Sequence, residues 1–186
     1  MSAQSQTPPL KIAVMGAGLI GRRHIEGILA EPRTTLTAVI DPSDAGRDFV
    51  TSKGAAWFST FGEAIARDRP DGVIVATPNQ LHVTNALNVI AAGIPVLVEK
   101  PIADKAQAAV ALVDAGSKAG VPILVGHHRR HNPMIRQAKQ ILDSGRLGKI
   151  LTVQGTFWVA KPDGYFDVSW RRAEGAGPAF INLIHD

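Results

Sequence analysis

The residues able to do chemistry begin at Gly16. Gly16-Ala17-Gly18-Leu19-Ile20-Gly21 has the spacing G-x-G-x-x-G. Binding a phosphate through the backbone requires N–H groups that a ligand can approach closely, and glycine leaves them uncovered. In such a loop Gly16 makes the tight turn off a strand. Gly18 lets the backbone approach a pyrophosphate, and Gly21 lets the next helix pack closely on the strand. That helix offers free N–H groups and its positive dipole end to the same phosphates. By itself the spacing is a weak signal, since a plain βα turn can carry incidental glycines. Three surroundings strengthen it: a strand-like run before it, a helical run after it, and Asp41 about twenty residues beyond Gly21. A carboxylate at that offset takes ribose hydroxyls and repels a 2′-phosphate, so Asp41 favours NAD over NADP. Arg47 is near enough in sequence to keep NADP open.

A second group of candidates follows the later strands. Ala76-Thr77-Pro78-Asn79-Gln80-Leu81-His82 comes after the apolar run Gly72–Val75. Pro78 fixes the turn, while Asn79 and His82 offer polar contacts beside a nicotinamide ribose. Helix capping by Thr77 or Asn79 accounts for these residues equally well. Glu99-Lys100-Pro101 comes after Pro95–Val98. A lysine at a strand's carboxyl end, held by a proline, is placed to point into a cleft. There its ammonium can exchange a proton with a substrate oxygen during hydride transfer. A surface lysine ion-paired to Glu99 is the plainer alternative. His24, inside the first helix, is expected to be structural. Of His127, His128 and His131, one or two would line the cleft. Metal binding is the weaker idea, because no carboxylate is suitably spaced and there is no cysteine.

The elements that must position these residues follow from the apolar pattern. Strands are expected at Lys11–Met15, Thr34–Ile40, Ala56–Phe58, Gly72–Ala76, Ile94–Glu99 and Val121–Val125. Helices are expected at Ile20–Leu29, Ala45–Ser52, Thr60–Arg67, His82–Ala92 and Lys105–Ala119. Thr60 with Glu63 forms a capping-box pattern, and Asp104 is expected to cap the last helix. The strands are near-continuous apolar runs, which implies burial on both faces. Alternation with helices then gives an α/β fold, a doubly wound parallel sheet. After Gly126 the texture changes. Pro133–Leu142 has helical character, and Lys149–Trp158 is a β run with partial alternation. The expected division is a disordered lead-in at 1–9, a nucleotide-binding domain at 10–126, and the start of a second, α+β substrate and oligomerisation domain at 127–186.

Composition excludes several classes. The formal charge of +4 could suggest nucleic acid, but basic residues are scattered, and the only clusters are Arg22-Arg23, Arg129-Arg130 and Arg171-Arg172. A polyanionic cofactor and a solvated surface account for the surplus, so neither nucleic acid nor a membrane is expected as partner. No apolar run approaches the roughly 20 residues needed to span a bilayer. Met1–Pro9 lacks the apolar core of a signal peptide, which makes the cytoplasm the default expectation. The absence of cysteine rules out disulfides and thiolate metal sites.

Taken together, Gly16–His24 (G-A-G-L-I-G-R-R-H), Ala76–His82 (A-T-P-N-Q-L-H) and Glu99–Pro101 (E-K-P) resemble the glucose–fructose oxidoreductase / inositol dehydrogenase / MocA family over nearly the whole chain. The resemblance implies an N-terminal Rossmann domain and a C-terminal α/β domain whose open sheet covers the cleft and mediates a homodimer or homotetramer. It implies cofactor contacts from Gly16, Ala17, Gly18, Leu19, Ile20, Gly21, Asp41, Ala76, Thr77, Pro78, Asn79, His82, Glu99 and Lys100. Lys100 would be the proton donor and acceptor, next to an often cis Lys-Pro bond. The family's glycine loop falls at Gly175-Ala176-Gly177, and the histidine of its D-x-x-x-H helix falls at His185, the second catalytic residue. Ile181 stands where the family has Asp, with Asn182 beside it as a hydrogen-bonding substitute. His128, Arg129, Trp170 and Arg171 would reach the substrate. The implied activity is NAD(P)-dependent hydride transfer to or from a secondary alcohol or ketone of a sugar, inositol or related polyol. The replacement of Asp by Ile181 leaves a non-catalytic NAD(P)-binding sensor as the alternative. Family members are substantially longer, so the chain is expected to be truncated within the second domain.

Overall fold

The computed structural model describes residues 7–156, 158 and 160–172. Its first part alternates strands and helices: β1 (Leu10–Met15), α1 (Leu19–Ala30), β2 (Thr34–Ile40), α2 (Asp44–Ser52), β3 (Trp57–Phe58), α3 (Phe61–Arg67), β4 (Gly72–Val75), α4 (His82–Ala91), β5 (Val96–Val98), α5 (Ala106–Ala119) and β6 (Ile123–Val125). The strands form one sheet in the order β3-β2-β1-β4-β5-β6, with every pairing parallel. This is the doubly wound Rossmann arrangement, and its order reverses between β1 and β4.

Both faces of the sheet are covered. Val14 and Val39 pack with Ile25, Ile28 and Val50 beneath α1 and α2. Their strand neighbours Ala13, Met15, Ala38 and Ile40 point the other way, into a larger core with Val73, Val75, Val89, Ile94, Val98 and Leu112. Alternate residues of one strand thus enter two cores, which is why the strand sequences are apolar throughout. Ends are set locally. The Thr60 side chain accepts from the Glu63 backbone while the Glu63 carboxylate accepts from the Thr60 N–H, the expected capping box. Gly120 ends α5 in the left-handed region, φ 65°.

Two expectations fail. Asp104 does not cap α5: the helix begins one residue later, and Lys105, at its N-cap, makes no side-chain cap bond. The expected strand Lys149–Trp158 is also absent, because the described residues of this run form no strand and all are exposed. A strand is defined by its ladder, and no other described strand lies alongside to supply one. Before it, α6 (Pro133–Asp143) forms on local hydrogen bonds, with Asn132 accepting from the Met134 N–H and Pro133 in the first turn. No helix among the described residues is long and apolar enough to cross a membrane.

Candidate active site

Parallel pairing brings the carboxyl ends of all six strands to one edge of the sheet, so the loops at 16–18, 41–43, 76–82, 99–101 and 126–131 share that edge. The glycine loop leaves β1 at the point where the strand order reverses, the place where such sheets bind ligands. Gly16 sits at φ +98°, and a Cβ there would lie 2.6 Å from the Ala76 carbonyl oxygen. Both the backbone conformation and the close approach of β4 demand glycine. A Cβ on Gly21 would lie 1.9 Å from the Gly16 carbonyl oxygen, so this residue lets α1 dock on its own loop. Gly18 differs, since a Cβ there would meet no protein atom within 4 Å. It occupies the N-cap of α1, makes no side-chain cap, and has no acidic residue in the turn that follows. The first N–H groups of α1 therefore open toward the cleft with the dipole behind them, a setting suited to a pyrophosphate. Leu19 and Ile20 are exposed beside it.

Asp41 closes the other side. Its Oδ2 accepts from the Ala17 N–H at 2.7 Å, and its Oδ1 accepts from the Ser43 N–H at 2.8 Å and from the Ser43 hydroxyl. The Asp41 carbonyl accepts from Trp57 Nε1 at 2.8 Å. Arg47 ion-pairs with Asp44 at 3.1 Å and Asp48 at 3.4 Å. Those two carboxylates partly neutralise the cation that kept NADP open.

The loop after β5 carries Lys100, and the Lys100–Pro101 bond is cis. It is gripped from two helices. From α4, His82 is 1% exposed; its Nδ1 lies 2.7 Å from the Pro101 carbonyl and its Nε2 2.8 Å from the Thr77 carbonyl. Carbonyls only accept, so a neutral ring donates to one of them and a doubly protonated ring to both. From α1, His24 Nε2 lies 2.7 Å from Glu99 Oε1, and Glu99 Oε2 accepts from the Lys100 N–H at 3.1 Å. Gly126 makes room: a Cβ there would come within 2.9 Å of the Glu99 carboxylate carbon. Burial pushes the Glu99 carboxyl upward. The hydrogen bond and charge of His24, the Lys100 N–H and the nearby His82 outweigh it and hold the group below the usual glutamate range.

His82 is a buried tie between two loops. Glu99 turns its carboxylate to His24 and to the Lys100 backbone, which also places His24 in the support of the site. Asn79 is buried at 7% exposure, and Asn85 donates to the Thr77 hydroxyl at 3.1 Å. His128 and Arg129 lie in a short 3-10 turn after β6, at the same sheet edge. Trp170 and Arg171 lie in another such turn, and the Arg171 guanidinium packs over the Tyr165 ring at 4.3 Å and donates to the Tyr165 carbonyl. Gly175-Ala176-Gly177, Ile181, Asn182 and His185 lie outside the described residues. The sequence reading missed Ser43, Gly46 and Gly126. Ser43 carried a signal, being a helix-capping residue two positions after Asp41; Gly126 carried none.

Residues 10–127 match the family GFO_IDH_MocA, described as an oxidoreductase family with an NAD-binding Rossmann fold. The chain is 31% identical over 178 residues to the rhizopine catabolism protein MocA of Rhizobium meliloti, covering 95% of this chain and 54% of that protein. It is 33% identical over 153 residues to an inositol 2-dehydrogenase of Corynebacterium glutamicum, covering 78% of this chain and 44% of the relative. Among solved structures, GenD2 from gentamicin A biosynthesis, in complex with NAD, superposes with a TM-score of 0.71 at 34% identity, covering 78% of this chain and 42% of that one. The chain thus spans about half the length of the curated relatives it matches. The open glycine loop, the held aspartate and the family match over the whole sheet lead to one conclusion: the chain belongs to the GFO_IDH_MocA oxidoreductases and carries their NAD-binding Rossmann fold.

Proposed function

We propose that the chain belongs to an NAD-dependent dehydrogenase acting on a secondary alcohol of a sugar, inositol or related polyol, and carries its nucleotide-binding site and its acid–base lysine. The observation that carries this reading is the placement of Lys100 on the carboxyl edge of the sheet that holds the glycine loop and Asp41. The residues fit the dinucleotide: the N–H groups at the start of α1 would hold the pyrophosphate, and Asp41 would take the adenosine ribose. NAD bound there supplies the hydride acceptor at its nicotinamide ring. Lys100 would accept the hydroxyl proton of the substrate as a neutral amine during oxidation and return it as an ammonium during reduction. Glu99 and His82 fix the backbone on either side of it, and His24 fixes Glu99. The similarity to inositol 2-dehydrogenase supports a polyol substrate. His185 and Asn182, with His128, Arg129, Trp170 and Arg171, would complete the substrate side.

The experiment is a panel of cyclitols, aldoses and acyclic polyols assayed for NAD reduction, alongside NADH titration of the same preparation. Turnover of one or more cyclitols or sugars supports a dehydrogenase. NADH binding without turnover on any of them contradicts it and favours a sensor.

A further inference from the structure

We propose that Ser43 and Gly46 are specificity-determining positioning residues, which set the preference for NADH over NADPH by holding the Asp41 carboxylate between the glycine loop and α2. The inference rests on the assignment of Asp41 to the adenosine ribose.

The carboxylate is built into its place. Oδ1 takes two donors from Ser43, and Oδ2 takes the Ala17 N–H. Ser43 in turn accepts the Gly46 N–H on its hydroxyl at 3.1 Å, so one side chain caps α2 and orients Asp41 at the same time. The Asp41 backbone is fixed by its own N–H to Phe58 and by the Trp57 indole. With two donors on Oδ1 and one on Oδ2, the oxygen nearer the glycine loop keeps an acceptor position for a ribose hydroxyl. The same negative charge would face a 2′-phosphate.

Gly46 makes this arrangement sterically allowed. A Cβ there would lie 2.5 Å from Asp41 Cγ and Oδ1. Gly46 is buried within a regular helix and its φ is negative, so no backbone strain calls for glycine. What calls for it is the volume of the carboxylate. Alanine at this position would push the carboxylate away from Ser43 and break its alignment with the Ala17 N–H. Alanine is also the better helix former, so weakening of α2 would not explain the result.

The test measures NADH and NADPH dissociation constants by nicotinamide fluorescence on the unaltered chain and on Asp41→Ala, Gly46→Ala, Ser43→Ala and Ser43→Thr, with melting temperatures in parallel. Gly46→Ala should cut the NADH:NADPH preference about tenfold, the worth of one hydrogen bond to a charged group, in a chain that still folds. Ser43→Ala should move the ratio the same way, and Ser43→Thr should restore it. A merely structural role would weaken both cofactors in parallel. That outcome, or an unchanged ratio in Gly46→Ala and Ser43→Ala while Asp41→Ala narrows it, overturns the proposal. An unchanged ratio in Asp41→Ala overturns the ribose assignment and the proposal with it. If Gly46→Ala does not fold, the two Ser43 variants decide the matter by the same ratio.

Discussion

Residues 10–126 and the described part of the segment that follows both carry Ile, Leu and Val, yet the two regions put them to opposite use. In the first, Val14, Ile25, Val39, Val75 and Val98 are completely buried on the two faces of one sheet. In the second, every described residue from Arg129 to Gly164 is exposed, including Met134, Ile135, Leu151 and Val153. The difference shows what apolar sequence can and cannot do unaided. An α-helix satisfies its backbone within itself, so α6 forms from a capping Asn132 and Pro133 even with no apolar face covered. A strand satisfies its backbone only against another strand, so the described residues of the β-type run at 149–158 stay irregular.

Core truncation should break this contrast most forcefully. Ile25→Ala removes a side chain of zero exposure between α1 and the sheet, and should cost roughly 2–5 kcal/mol in denaturant unfolding. A loss below about 1 kcal/mol would mean that the first region is not packed as described. At the opposite extreme, Leu151→Ser in the second region, at a residue 84% exposed, should change stability by no more than about 0.5 kcal/mol. A cost as large as that of Ile25→Ala would mean that this run is buried in solution.

Between the two lies a pH effect at the site. The Glu99 carboxyl is held below the ordinary glutamate range, so its folded form binds a proton less readily than its unfolded form. Its contribution to stability is therefore present above about 4.5 and lost as pH falls through the depressed value. The stability difference between the unaltered chain and Glu99→Gln should be largest near neutrality and shrink as the solution is acidified below pH 4.5. A difference that stays constant with pH would contradict the His24–Glu99 arrangement.

The sequence made the local and periodic features legible. The glycine spacing, the Asp41 offset, the Thr60–Glu63 capping box and the alternation of strand and helix all depend on neighbours within a few residues or on a fixed βαβ span. What stayed hidden depends on distant residues meeting. His24 and Glu99 are 75 positions apart, and no pattern in either segment announces their contact. His82 was legible as a polar residue at a strand end, but its burial between the Pro101 and Thr77 carbonyls follows only from the packing of two loops. Gly46 looked like an ordinary residue of a short helix, because the carboxylate beside it comes from the preceding strand end. Asp104 had the right residue type for a cap one position too early, since α5 begins at Ala106.

Lys100, at the edge of the NAD-binding sheet, is proposed to move the proton of a polyol hydroxyl, and Lys100→Met isolates that step when NADH affinity and hydride transfer are measured with a cyclitol or sugar that the unaltered protein oxidises. The NADH dissociation constant should stay within about twofold of the original while turnover falls by about 10²–10⁴-fold, the usual contribution of one acid–base group. Turnover close to that of the unaltered protein would contradict that role.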